Sequence, residues 1–158
     1  MAAAGRERPP IDWDSLTFSF TETDRMFVAN GSWEDGWSEG RMVDFQPLNL
    51  SPAACVLNYG QGLFEGMKAR RTPDGKITLF RPEMNARRAA EGARRLVMPE
   101  VSESMFIKAV KKVAEENKRW VPPHGKGELY LRPILFGSSA RLGVCLLYTS
   151  PSPRDVCS

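Results

Sequence analysis

The residues that invite a chemical question are an arginine and a tyrosine inside an apolar run. Leu129–Phe136 reads Leu-Tyr-Leu-Arg-Pro-Ile-Leu-Phe, so Arg132 interrupts what is otherwise a buried-looking strand. A guanidinium beside a core is costly unless it is paired. Such a residue faces a cleft, an anionic partner or the solvent side of a half-exposed strand. Tyr130 lies two residues away, on the same strand face. Phenol and guanidinium together suit a carboxylate. A second group is Arg81, Arg87, Arg88, Arg94 and Arg95. Arg88 and Arg95 share one helix face, as do Arg87 and Arg94. That face can offer a planar fork of donors to a phosphate, line a nucleic-acid backbone, or simply meet water. Tyr59, Phe64 and Glu65–Gly66 form a third group, in which aromatics beside glycine suit either a small-ligand pocket or ordinary packing. Phe18 alone reads as a core aromatic. Gly60 and Gly62 do not form a phosphate loop, because no Gly-Lys-Ser/Thr follows. With one histidine and three cysteines, nothing suggests a metal site or a disulfide. Cys55, between Ala54 and Val56, reads as a small buried hydrophobe.

The elements that must position these residues follow from periodicity. Leu16, Phe18 and Phe20 alternate with polar residues, which predicts a strand, with a turn at Thr23–Arg25 and a second strand over Met26–Ala29. Gly31–Gly40 is a loop rich in Trp, Gly and acid. Arg41–Leu50 resumes in extended form and ends near Pro47. The glycines of Asn58–Gly66 disfavour a long helix, although Leu57, Leu63, Phe64 and Met67 can support a short packed one. Lys68–Arg71 and Lys76–Phe80 are strands joined at Pro73–Gly75. Pro82 opens a helix with Met84, Ala89, Ala93 and Leu96 on its apolar face. Ser102 or Ser104 caps the next helix, which buries Phe106, Ala109, Val110, Val113 and Ala114 and runs to Pro122–Pro123. The order of hairpins, strand pair, two helices and strand predicts an α+β domain rather than a doubly wound sheet.

The chain has 158 residues, 42% apolar and 26% charged, which fits one globular domain. No apolar run approaches the ~18 residues of a membrane helix, and a net charge of +3 does not argue for nucleic acid. Met1–Pro10 is basic and Pro-rich, has no apolar segment and reads as a disordered leader. It is not a secretory signal. A cytoplasmic or organellar location (plastid or mitochondrion) is open, since no transit peptide is readable.

Four motifs carry a family resemblance. Leu57–Arg71 (Leu-Asn-Tyr-Gly-Gln-Gly-Leu-Phe-Glu-Gly-Met-Lys-Ala-Arg-Arg), Leu79–Pro82 with Asn85–Arg88, and Leu129–Pro133 resemble, in that order, stretches of the class IV branched-chain amino acid aminotransferases. Asn117–Pro123 with Gly125–Gly127 looks like the plant-type subgroup. The resemblance implies the small N-terminal domain of the fold-type IV pyridoxal-phosphate enzymes, mainly antiparallel sheet with two packed helices, over residues 11–144. It implies pyridoxal 5'-phosphate as cofactor, with Arg88 at its phosphate. It implies that Phe18, Tyr59 and Phe64 wall the substrate side chain, with Gly66 beside them. Tyr130 and Arg132 would close the pocket, Arg132 taking the second carboxylate of glutamate. Tyr130 or a neighbouring subunit would then steady that charge when a hydrocarbon is bound. Branched-chain amino acids, 2-oxo acids and glutamate are the implied partners, in a homodimer when the enzyme is intact, with no nucleic acid and no membrane.

No lysine here matches the motif of the family's cofactor-anchoring lysine, so no catalytic residue is expected among the 158 and the chain alone is expected to be inactive. Within the fold, a D-amino-acid aminotransferase or an aminodeoxychorismate lyase is the nearest alternative. From another class, the arginine face allows a non-catalytic binding module. Cys145–Asp155 (Cys-Leu-Leu-Tyr-Thr-Ser-Pro-Ser-Pro-Arg-Asp) resembles the conceptual translation of a sequencing-library adapter, so residues 145–158 are expected not to be native.

Overall fold

The computed structural model describes residues 10–14 and 20–142. The expected strand through Leu16 and Phe18, nearly all of the leader, and residues 145–158 lie outside the described residues. Among those described, the order is β1 (Arg25–Val28), β2 (Gly31–Ser32), β3 (Gly36–Trp37), β4 (Arg41–Asp44), α1 (Cys55–Tyr59), β5 (Gly62–Phe64), β6 (Met67–Arg71), β7 (Ile77–Leu79), α2 (Pro82–Arg95), α3 (Glu103–Glu116), a 3-10 turn at Lys118–Trp120, β8 (Leu129–Leu131) and β9 (Ile134–Phe136). Every strand pair is antiparallel. The α+β class follows.

β1 pairs with β4, Arg25 facing Asp44 and Val28 facing Arg41. Between them, the expected loop contains the small β2–β3 ribbon. Its Trp37 indole donates to the Glu100 carbonyl at 2.9 Å, fastening the ribbon to the α2–α3 connection. The anticipated Pro73–Gly75 turn joins β6 to β7, with Gly75 at φ +84° where an L side chain is strained.

One long antiparallel pairing organises the remaining strands. β5 pairs with β9, Phe64 facing Ile134. β6 pairs with β8, Met67 facing Leu131. Two residues separate the two pairs on each side, so the register is unbroken across the gap. Glu65 N–H donates to the Pro133 carbonyl at 2.9 Å. The ladder opens there because Pro133 has no N–H to return. The single strand expected over Leu129–Phe136 is therefore two, interrupted by its proline. The short helix anticipated around Asn58–Gly66 also differs. α1 stops at Gly60, in the left-handed region at φ 65°, and Leu63 and Phe64 instead pair with β9.

α2 starts at Pro82 and buries Asn85, Ala86, Ala89 and Ala93. Its buried face is thus turned slightly from the expected one, with Met84 only half-buried. α3 is capped by Ser102, whose Oγ accepts from Met105 N–H at 3.2 Å, and buries Phe106, Val110 and Ala114. It ends at Asn117, well before the two prolines. The core joins Met67, Ala69 and Leu131 of the sheet to Ala86 and Ala89 of α2, Phe106, Val110 and Ala114 of α3, and Val121. Cys55 is buried. No helix of the described residues is long and apolar enough to cross a membrane.

Candidate active-site wall

Strand alternation sorts the residues around the open point of the ladder. Met67, Ala69 and Leu131 point inward and are buried. Phe64, Gly66, Tyr130, Arg132 and Ile134 share the opposite face. Phe64 is 63% exposed and Tyr130 50%. Arg132 and Ile134 are exposed as well, and no layer of the described residues covers this face.

On that face the aromatic and cationic groups touch. Arg132 Nη2 donates to Tyr130 Oη at 2.8 Å. Its guanidinium carbon lies 4.2 Å from the centre of the Phe64 ring and 5.0 Å from that of Tyr130. The charge is thus stabilised by two ring faces and a phenol oxygen while staying open to solvent. Gly66 makes this possible. A Cβ built there would meet Tyr130 Oη at 2.3 Å and Cζ at 3.1 Å. The phenol occupies the space that any side chain at position 66 would need.

Behind the same point, Glu65 faces inward. Its side chain is 10% exposed. Its carboxylate accepts from Arg88 Nε at 3.1 Å and Nη2 at 2.7 Å, and from Asn85 Nδ2 at 2.7 Å. Asn85 also donates to the Gly66 carbonyl at 3.1 Å. Hydrogen bonding and charge from Glu65 hold the Arg88 guanidinium above the ordinary arginine value. The two bonds use Nε and Nη2 and leave Nη1 to another acceptor. The Arg88 side chain is 57% exposed. A half-used guanidinium at the surface is a donor set that fits a phosphate oxygen.

The structure therefore brings Phe64, Gly66, Tyr130 and Arg132 together and joins Arg88 to them through Glu65. Tyr59 stands exposed on α1. Phe18 lies outside the described residues. Glu65 and Asn85 carry roles that sequence reading did not assign, although a glutamate beside Gly66 was one signal. Two other arginines of α2 face acids too: Arg87 meets Glu103 at 3.3 Å and Arg94 meets Glu100 at 3.2 Å. Two open clefts lie away from this face. One, of about 670 Å³, is bounded by Arg71, Ile77, Leu79, Pro82 and Lys111. The other, of about 500 Å³, lies between α2 and Ser102–Glu103. Among the described residues no group of three His, Cys, Asp or Glu is placed to hold a metal.

Known proteins resemble this chain in sequence and in fold. A methionine aminotransferase of Arabidopsis thaliana is 52% identical over 133 residues, 84% of this chain and 38% of that protein. A mitochondrial branched-chain-amino-acid aminotransferase of the same plant is 51% identical over 138 residues, 87% of this chain and 36% of that protein. A chloroplastic branched-chain amino acid aminotransferase of Humulus lupulus is 49% identical, covering 92% of this chain and 37% of that protein. Among solved structures, the T.th. branched-chain amino acid aminotransferase with pyridoxamine 5'-phosphate superposes with TM-score 0.59 at 25% identity, covering 83% of this chain and 38% of that one. The Escherichia coli enzyme gives 0.59 at 21% identity, covering 78% of this chain and 36% of that one, a likeness of fold. No family model matches the chain. The chain spans a little over a third of the length of these relatives. By sequence and fold together, the chain is similar to the N-terminal region of the branched-chain aminotransferases.

Proposed function

We propose that this chain forms one wall of the active site of a pyridoxal-phosphate-dependent branched-chain aminotransferase. That enzyme moves an amino group between leucine, isoleucine or valine and 2-oxoglutarate, giving glutamate and a branched 2-oxo acid. The observation that carries the reading is the face on which Arg132 lies across Phe64 and bonds Tyr130. Such a face presents both an apolar surface and a cation to one ligand. Phe64 and Tyr130, with Tyr59 and Phe18, would receive the hydrocarbon side chain, which gains ~25 cal/mol per Å² buried. Arg132 would receive the distal carboxylate of the acidic co-substrate. With a hydrocarbon bound, the two rings and the Tyr130 hydroxyl remain as partners for the charge, which lessens the desolvation cost.

Arg88 would hold the cofactor phosphate through Nη1. When bound, the pyridoxal group supplies the electron sink for amino transfer. Met-type thioethers are of similar polarity to branched aliphatics, and one relative is named for methionine. We include methionine among the substrates this wall accepts. The names of the relatives support an organellar setting, mitochondrial or chloroplastic, and we propose a homodimer for the intact enzyme. The binding-module alternative is disfavoured because Arg87, Arg88 and Arg94 each face a glutamate.

The test is Arg132→Met in an enzyme that carries this region ahead of the remainder of a plant relative. Losing a charged hydrogen bond costs about 1.5–3 kcal/mol, so kcat/KM for 2-oxoglutarate falls roughly ten- to a hundredfold while leucine binding changes far less. Equal losses for both substrates would overturn the role.

A further inference from the structure

The Asn85–Glu65–Arg88 relay is more than a salt bridge. We propose that Glu65 is the positioning residue of the anion site: it grips one edge of Arg88 so that the Nη1 end faces outward toward a phosphate-class anion. This rests on the reading of Arg88 as the phosphate-binding arginine. The geometry supports it at each step. Glu65 is fixed by its own N–H on the Pro133 carbonyl, at the point where the ladder opens. Its carboxylate spans Arg88 Nε and Nη2 in fork-to-fork fashion. Asn85, one turn earlier on α2, donates to that carboxylate and to the Gly66 carbonyl, so the amide that holds Glu65 is itself anchored to the backbone next to it. Glu65 is nearly buried, while Arg88 is more than half exposed. The buried end is therefore rigid, and the exposed end is left for a ligand.

Two effects of Glu65 oppose one another at such a site. Its negative charge repels an incoming anion. Its hydrogen bonds remove rotamer freedom that an arginine otherwise gives up on binding. The anion would meet Arg88 at its solvated end, where water and salt screen the repulsion. Orientation therefore outweighs charge, and removing the grip weakens the anion.

The experiment uses the whole 158-residue chain, labelled with nitrogen-15, and inorganic phosphate as the probe. In the wild type, the Arg88 Nε–H resonance is protected from solvent exchange and the Arg88 side-chain signals shift on titration with phosphate. In Glu65→Gln the Nε–H protection is lost and the phosphate dissociation constant rises about three- to tenfold, the equivalent of one net hydrogen bond. Glu65→Asp keeps the charge but is too short to span both nitrogens, and it behaves like Glu65→Gln. If Glu65→Asp matches the wild type and Glu65→Gln binds phosphate more tightly, charge rather than orientation governs the site and the proposal fails. If phosphate binds all three proteins equally at Arg88, the proposal fails while the reading of Arg88 stands. If phosphate produces no shift at Arg88 in the wild type, both fall.

Discussion

A methyl group separates alanine from glycine, and at position 66 that volume is taken by the Tyr130 hydroxyl. The clash is with the far end of a half-exposed side chain, which can swing outward at little cost. Gly66→Ala should therefore change stability by less than about 1 kcal/mol while moving the Tyr130 ring and freeing Arg132 from its 2.8 Å bond. Aromatic proton shifts of Tyr130, followed beside the urea midpoint, check this. An unmoved ring with a large loss of stability would contradict it. At this scale the sequence was legible where a residue stood out against its neighbours. Arg132 did so in an apolar run, and Tyr130 two positions away shares its face. Glu65 did not, because its meaning depends on Arg88, which lies 23 positions away along the chain and meets it only once α2 packs behind the ladder.

Elements were legible where their period was strong and their ends were marked by chemistry. α2 begins at its proline, α3 at its serine cap, and β6 and β7 flank the turn signal. The end of α3 was not legible, since Asn117 stops the helix through distant partners. Asn117 is 1% exposed. Its Oδ1 accepts from Asp24 and Arg25 N–H at 3.0 and 2.9 Å, and its Nδ2 donates to the Arg25 and Val113 carbonyls, both at 2.9 Å. One side chain thus docks the β1–β4 hairpin on α3. Arg119 reinforces the joint by pairing with Asp24, whose carboxylate holds that guanidinium above its ordinary value. Asn117→Ala strands several backbone groups and should cost about 2–4 kcal/mol, read as a lower urea midpoint and faster exchange of the Asp24 and Arg25 amides. A loss below about 0.5 kcal/mol would show that the joint is redundant.

A second element-scale joint is exposed and responds to acid. Glu128, just before β8, pairs with Lys68 at 2.6 Å and with Arg70, both on β6. The Lys68 hydrogen bond, followed by the charges of Arg70 and Lys68, holds the Glu128 carboxyl below the usual glutamate range despite some desolvation. A carboxylate with a depressed folded value stabilises above its unfolded value and loses that contribution as pH falls through the folded one. The stability gap between the wild type and Glu128→Gln should accordingly be present at neutral pH and close in acid, below the ordinary glutamate range. A gap that persists unchanged in strong acid would remove the ion pairs from the account.

For the whole molecule, the α+β class and the antiparallel character were legible from element order, while the unbroken register across Pro133 was not. Pattern alone sees one strand there. Only pairing with β5 on one side and β6 on the other shows a ladder opened at a single point. That architecture puts Phe64, Gly66, Tyr130 and Arg132 on one surface. Phe64 and Tyr130 remain half or more exposed and Arg132 faces solvent. Amino transfer needs a substrate held from two sides and shielded from water. One wall supplies an apolar surface and two cations but neither the enclosure nor a matched cofactor-anchoring lysine. Incubated with pyridoxal phosphate, leucine and 2-oxoglutarate, the 158-residue chain should form no glutamate above a control with free cofactor. Residues 11–144 joined to the rest of a plant relative should form it, and Arg132→Met in that chimera should lower the rate with 2-oxoglutarate. Turnover by the chain alone, sensitive to Arg88→Gln, would mean that this wall is already a complete site and would overturn the reading of it as one side of a larger one.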